Sequence, residues 1–160
     1  MMKIALIGHT KGLGAELSSY FKDKYDVVGF SRTNGYNIKN PIDRKKILKE
    51  STNADILLNL VHNYYHQTDI LFEFYSAWED QKKLILNISS AVVDDNKWGI
   101  NRLDYLEYKN QKIALESMAE LLLKRNSTVQ IKNYRISEIN FGKDTNNLNS
   151  IINEFKISKK

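Results

Sequence analysis

The chain has 160 residues, 42% hydrophobic and 27% charged, enough for one globular domain with a real core and too few for two. It has no cysteine, which excludes disulfides, a thiolate nucleophile and cysteine-based zinc sites. The net charge is +5 and the pI is near 9.2, but Lys and Arg are scattered and never alternate with aromatics in a stripe. Even with the basic tail Lys156-Ile157-Ser158-Lys159-Lys160, this describes a solvated surface that attracts anionic cofactors, and a nucleic-acid partner is not expected.

Met1-Met2-Lys3 leads directly into Ile4-Ala5-Leu6-Ile7, a buried strand bounded by Gly8. There is no signal-peptide apolar region and no apolar run of membrane-spanning length, so a cytoplasmic location without a membrane partner is expected. Leu13, Leu17, Tyr20 and Phe21 recur at helical spacing through residue 23, and 26–30 is a second strand closed by a turn at 31–35. Pro41, the only proline, sits where a helix start tolerates one. A third apolar run covers 55–61, and Ile70, Leu71, Phe74, Tyr75 and Trp78 form one helix face. Residues 84–88 make a strand that stops at Ser89-Ser90. Leu115, Met118, Ala119 and Leu122 stripe a long helix, and 129–136 is a last strand. Strands alternating with helices predict a single doubly wound α/β domain over 1–160, with about six parallel strands and helices on both faces in three layers.

Two motifs carry chemistry. Gly8, Gly12 and Gly14 punctuate the turn between the first strand and its helix. Glycines there let backbone approach a phosphate, and the helix N-terminus offers free N–H groups and partial positive charge. Tyr108 and Lys112 are four apart on a helix, so a phenol and an ammonium share one face. An ammonium stabilises a nearby phenolate, which suits tyrosine to proton transfer at neutral pH. Together, in this order, they point to a nicotinamide-dependent carbonyl or alcohol oxidoreductase. Tyr105 and Lys109 fit the same spacing, so spacing alone leaves two registers open.

The spacing Gly-x-x-x-Gly-x-Gly resembles the short-chain dehydrogenase/reductase family, and the resemblance runs through residues 3–145. Asp55 to His62 is similar to that family's Asp-x-Leu-Val-Asn-Asn-Ala-Gly strand. Leu86-Asn87-Ile88-Ser89-Ser90 resembles the strand ending at the catalytic serine, and Tyr108 to Lys112 the Tyr-x-x-x-Lys helix. Arg135 to Gly142 is similar to the strand entering an Asn-Pro-Gly turn. The resemblance implies a Rossmann-like nucleotide-binding fold. It implies that Tyr108 is the acid/base, that Lys112 tunes it and holds the nicotinamide ribose, and that Ser90 orients the carbonyl of a small substrate. It also implies a cofactor site of Gly8, Thr10, Lys11, Gly12, Leu13, Gly14, Ser31, Arg32, Asn37, Asn59, Lys112, Gly142 and Thr145, and a homodimer paired through the Tyr108 helix. Lys11 and Ser31-Arg32, with no carboxylate beside them, would face the ribose 2′ position, so NADP(H) is the expected cofactor.

Several features depart from the family. The Ser90–Tyr108 segment is lengthened, His62 replaces a glycine, and Phe141 replaces the proline. For the fourth catalytic residue of the family, an asparagine, Asn63 and Gln67 are poor substitutes. The chain ends shortly after Gly142, without the usual lid and last strand, so a shallow or partner-completed substrate site is expected. Trp98, Tyr64 and Tyr65 are candidate lining residues. His62 and His66, with no third ligand, are expected to be loop and helix-start polar residues near the cofactor, and no metal is expected. His9 is expected to be turn backbone.

Overall fold

Each of the five apolar runs becomes a strand in this computed structural model, which describes residues 1–95, 99 and 101–160. The strands are β1 (Lys3–Ile7), β2 (Asp26–Phe30), β3 (Ile56–Asn59), β4 (Leu84–Ser90) and β5 (Gln130–Ile136). All neighbouring pairs are parallel, in the order β2-β1-β3-β4-β5. Between them run α1 (Gly12–Phe21), α2 (Pro41–Glu50), α3 (His66–Trp78) and α4 (Leu103–Leu123), and α5 (Phe141–Lys159) follows β5. The sheet has five strands among the described residues against about six expected. After β2 the chain enters a 3₁₀ turn (Arg32–Asn34) and passes directly to α2. No described helix is long and apolar enough to cross a membrane.

Side-chain alternation along β1 shows why helices cover both faces. Ala5 and Ile7 pack on one side with Leu57, Ile85, Phe74 and Leu115, in the layer of α2, α3 and α4. Ile4 and Leu6 pack on the other with Leu17, Phe21, Leu148 and Phe155, in the layer of α1 and α5. Burying residues of this size contributes roughly 1.5–3 kcal/mol each. Helix α5 is a structural addition to the sequence reading, which expects a turn at 140–142. Its apolar residues (Leu148, Ile151, Ile152, Phe155) have the helical period and pack beside α1 in the cluster that holds Ile4, Leu6, Leu58 and Leu86 of the sheet. Helix α4 begins five residues before Tyr108, at Leu103.

An amide ladder runs from the buried Asn59 and Asn87 to the exposed Asn133 on the edge strand β5. Asn59, Asn87 and Asn133 occupy the same register on β3, β4 and β5. Asn59 Nδ2 donates to Asn87 Oδ1 at 2.9 Å, and Asn87 Nδ2 to Asn133 Oδ1 at 3.0 Å. Buried amides need such partners, so the ladder pins strand register beside the crevice at the carboxyl end of β1.

Candidate active site

The glycine turn after β1 forms because three glycines do three different things. Gly8 has φ +92°, and a Cβ there would lie 2.4 Å from Val61 Cγ2. Gly14 starts α1 so close to β1 that a Cβ would lie 1.8 Å from the Gly8 carbonyl oxygen. Gly12 has φ +52° and nothing within 4 Å of its Cβ position, which leaves open backbone at the head of α1. Lys11, the N-cap residue, places no side-chain hydrogen bond on that helix start. Free N–H groups and an open approach suit a pyrophosphate.

The turn opens onto a cleft of about 570 Å³. Gly8, Thr10, Lys11, Ser31, Arg32 and Asn37 all line it. Arg32 and Lys11 are exposed and make no ion pair among the described residues. Ser31 is held by Asn34, whose Oδ1 accepts from the Ser31 N–H at 2.7 Å while its Nδ2 donates to the Gly29 carbonyl. Arg44 donates to the Ile38 carbonyl at 2.8 Å and pairs with Glu73, which fixes the far wall around Tyr36, Asn37 and Ile38. Asn63 also lines the cleft, and its buried Oδ1 has no partner among the described residues. The sequence gives no signal for Arg44 as a wall residue, because its partner Glu73 lies 29 residues away on α3. Nor does it signal the pairing of Gly29 with His9, whose ring fills the space a Cβ at Gly29 would need.

Other expected cofactor residues lie elsewhere. Leu13 is in the core, and Asn59 is fully buried in the amide ladder. Gly142 and Thr145 sit in the opening turns of α5, and both border a groove shared with Glu16 and Tyr20 of α1, away from the 570 Å³ cleft. The reason is local: Asn140 caps α5 by accepting from the Lys143 N–H at 3.0 Å, and the helix begins at Phe141.

Ser90 and Tyr108 do come together. They line one cavity of about 360 Å³ with Ala91, Val92, Asp95, Tyr105 and Ser137. Ser90 caps a short 3₁₀ turn by accepting from the Val92 N–H at 3.2 Å, and its own O–H proton can still be donated. The competing register is occupied structurally: Tyr105 donates to Asp95 at 3.0 Å and the Lys109 ammonium to the Asp95 carbonyl. Trp98 lies outside the described residues. Tyr64 lines a neighbouring cleft with Tyr108, and Tyr65 accepts a hydrogen bond from Asn110 at 2.7 Å.

Lys112 is 3% exposed, with its ammonium 5.8 Å from the Tyr108 ring centroid. Nζ donates to Gln67 Oε1 at 2.8 Å and to the Ile88 carbonyl at 2.9 Å. Burial pushes Lys112 down to about 8, and Glu116 one turn further along α4 opposes the shift. Burial also acts to raise the Glu116 carboxyl, but hydrogen bonds from Arg135 and Ser89 prevail and hold it below the usual range. Ser89 donates to Glu116 at 2.7 Å, and Arg135 grips it through two nitrogens at 2.9 and 2.6 Å. Arg135 also pairs with Asp94.

His62 and Asn63 form the wall between the 570 Å³ cleft and the next cleft, and they line both. The His62 ring meets Tyr108 edge-on at 4.6 Å. Burial and the Lys112 charge push His62 down to about 4, so the ring is neutral at pH 7. His66 is turned away, with Nδ1 2.9 Å from Asp69.

This architecture matches solved structures whose sequences differ widely. A short chain dehydrogenase from Burkholderia cenocepacia solved with NADP superposes with TM-score 0.72 at 15% identity, over 89% of this chain and 75% of that one. A 3-alpha-hydroxysteroid dehydrogenase from Pseudomonas complexed with NADH gives 0.65 at 16% identity, over 84% and 78%. A short chain dehydrogenase/reductase from Brucella ovis gives 0.66 at 13% identity, over 95% and 91%. No family model matches the chain, and no curated protein matches it in sequence. The chain shares the fold of these solved short-chain dehydrogenases.

Proposed function

We propose that the chain is a cytoplasmic NADP(H)-dependent oxidoreductase that reduces a small carbonyl compound. The observation that carries this reading is the convergence of Ser90 and Tyr108 on one cavity, with the Lys112 ammonium buried behind the phenol. The fit of the cofactor is supported by the open backbone at Gly12, the uncapped start of α1 and the two cleft cations Lys11 and Arg32. The chemistry NADPH supplies when bound is a hydride to the carbonyl carbon. Ser90 donates a hydrogen bond to the carbonyl oxygen and orients it. Tyr108 gives its proton to the oxygen as negative charge develops there, and the phenolate left behind is stabilised by Lys112 until solvent reprotonates it. Cofactor titration followed by a screen of small carbonyl compounds for NADPH oxidation tests the reading. A wild-type protein that binds neither NADPH nor NADH overturns it.

A second reading, an NADP(H)-binding sensor or subunit without turnover, is favoured by one feature. The Lys11–Arg32 cleft and the Ser90–Tyr108 cavity share no lining residue; His62 stands beside Tyr108 between them, and Gly142 and Thr145 lie in α5. NADPH binding without oxidation by any carbonyl compound selects it. Leu106 and Ile113 on α4 and Phe72 on α3 are exposed apolar residues, which supports pairing of two copies through these helices. Sedimentation analysis that finds only monomer removes that part.

A further inference from the structure

Gln67 is 2% exposed in the first turn of α3, and its side-chain amide is committed at both ends. Nε2 donates to the Asn59 carbonyl at 2.7 Å and to the Ile88 carbonyl at 2.9 Å. Two carbonyls on that side decide which way the amide faces, because the reversed amide would set oxygen against oxygen. Oε1 is therefore aimed at Lys112 Nζ, 2.8 Å away. Asn59 reinforces the arrangement by donating from Nδ2 to the Gln67 backbone carbonyl at 3.0 Å. The Ile88 carbonyl uses its two lone pairs on Gln67 and on Lys112, closing a three-membered cluster of α3, β4 and α4.

We propose that Gln67 is a positioning residue that holds the Lys112 ammonium beneath Tyr108 through a neutral acceptor, leaving its charge unneutralised and directed at the phenol. The catalytic role of Tyr108 rests on the function proposed above; the coupling of Gln67 to Lys112 does not. The choice of acceptor matters physically. A carboxylate in that place would hold the ammonium as well but cancel its field at Tyr108, whereas an apolar side chain would leave a buried charge with one acceptor. Other charged or titratable groups near Lys112 are Glu116, one turn along α4 and held by Ser89 and Arg135, His62 from the segment after β3, and Tyr108 itself. Glu116 faces its own donors, so Gln67 and the Ile88 carbonyl remain the direct acceptors of the ammonium.

The test follows the Lys112 ammonium by NMR in lysine-labelled protein, its signal assigned through Lys112→Met, with no cofactor or substrate present. In wild type Lys112 titrates near pH 8, well below an ordinary lysine. Gln67→Met, which has similar length but no acceptor, lowers that midpoint by about one pH unit or more. Gln67→Glu raises it. Gln67→Asn keeps the amide but is one methylene short, and shifts the midpoint in the same direction as Met by less. A purely structural Gln67 would lower the melting temperature in all three variants and leave the Lys112 midpoint where it was. That outcome, or a wild-type Lys112 titrating in the ordinary lysine range, overturns the proposal. In the pH profile of NADPH oxidation, the alkaline limb moves down in Gln67→Met with the Lys112 midpoint, while Gln67→Glu loses turnover across the range. Absence of NADPH oxidation in wild type removes the proposed activity, while the titrations still decide the role of Gln67.

Discussion

The two halves of the site treat their cations in opposite ways. At the cleft beside the glycine turn Lys11 and Arg32 stand exposed, without ion pairs among the described residues. At the other end Lys112 is buried on two neutral oxygens, and Arg135 is bound by Glu116 and Asp94. An exposed, unpaired cation is available to an incoming anion at little desolvation cost. A buried cation on neutral acceptors cannot meet a ligand without leaving them, but in low dielectric its charge is felt strongly by a neighbour. The first end leaves its cations open to solvent, and the second holds them on protein oxygens.

The sharpest way to separate the halves is Tyr108→Phe. It should reduce NADPH oxidation at least ~100-fold while cofactor affinity stays unchanged, because only a transition-state proton donor is lost. Fluorescence titration and a steady-state assay check both parts, and parallel losses would show that the two ends are not separable.

Next in size is the pH dependence of the buried end. The Lys112 value is lowered in the folded state from 10.5 to about 8. Between these values the unfolded chain binds the extra proton, so stability should rise with pH from 8 to 10.5. The contribution is ~3 kcal/mol at most. Denaturant melts of wild type against Lys112→Met isolate it, and identical pH slopes in the two proteins would contradict the burial.

Gly14→Ala tests whether the glycine-turn end depends on close packing. Its Cβ would lie 1.8 Å from the Gly8 oxygen, so α1 must move, at a cost of roughly 1–3 kcal/mol. A melting temperature and NADPH affinity both equal to wild type would show that α1 has slack. The smallest effect is expected at Arg32→Ala, which should weaken NADPH about tenfold and leave NADH unaffected. Equal losses for the two cofactors would remove Arg32 from the 2′ position.

His62 should make the boundary between the halves acid-sensitive. Its folded value of about 4 lies below the usual 6.5, so the unfolded state takes up a proton first as pH falls through that window. Stability should fall from pH 6.5 to 4, and His62→Gln should flatten that decline in thermal melts.

Much of this was legible in the chain because it is local. Alternation in Ile4-Ala5-Leu6-Ile7 assigns residues to two sheet faces, and Leu115, Ala119 and Leu122 declare a helix stripe without reference to anything distant. Glycine spacing after β1 likewise announces a tight turn, and the four-residue interval from Tyr108 to Lys112 puts both on one helix face. Helix α5 was legible in principle from Leu148, Ile152 and Phe155, but the expected turn at 140–142 drew attention from that period.

What only tertiary structure decided is who meets whom across elements. Gln67 reads in sequence as a poor stand-in for an asparagine, yet folding sets it against Lys112, 45 residues away, because α3 and α4 pack side by side. Asn59 reads as a cofactor residue, and folding buries it with its amide donating to Asn87 on the neighbouring strand. Gly142 and Thr145 read as part of the cofactor site, and an N-cap at Asn140 turns them into helix. Backbone conformation depends on neighbours a few residues apart, so sequence by itself determined the strands, most helices and the motifs. The partners of a buried polar group depend on which elements the core brings together, and that is a property of the whole packed chain.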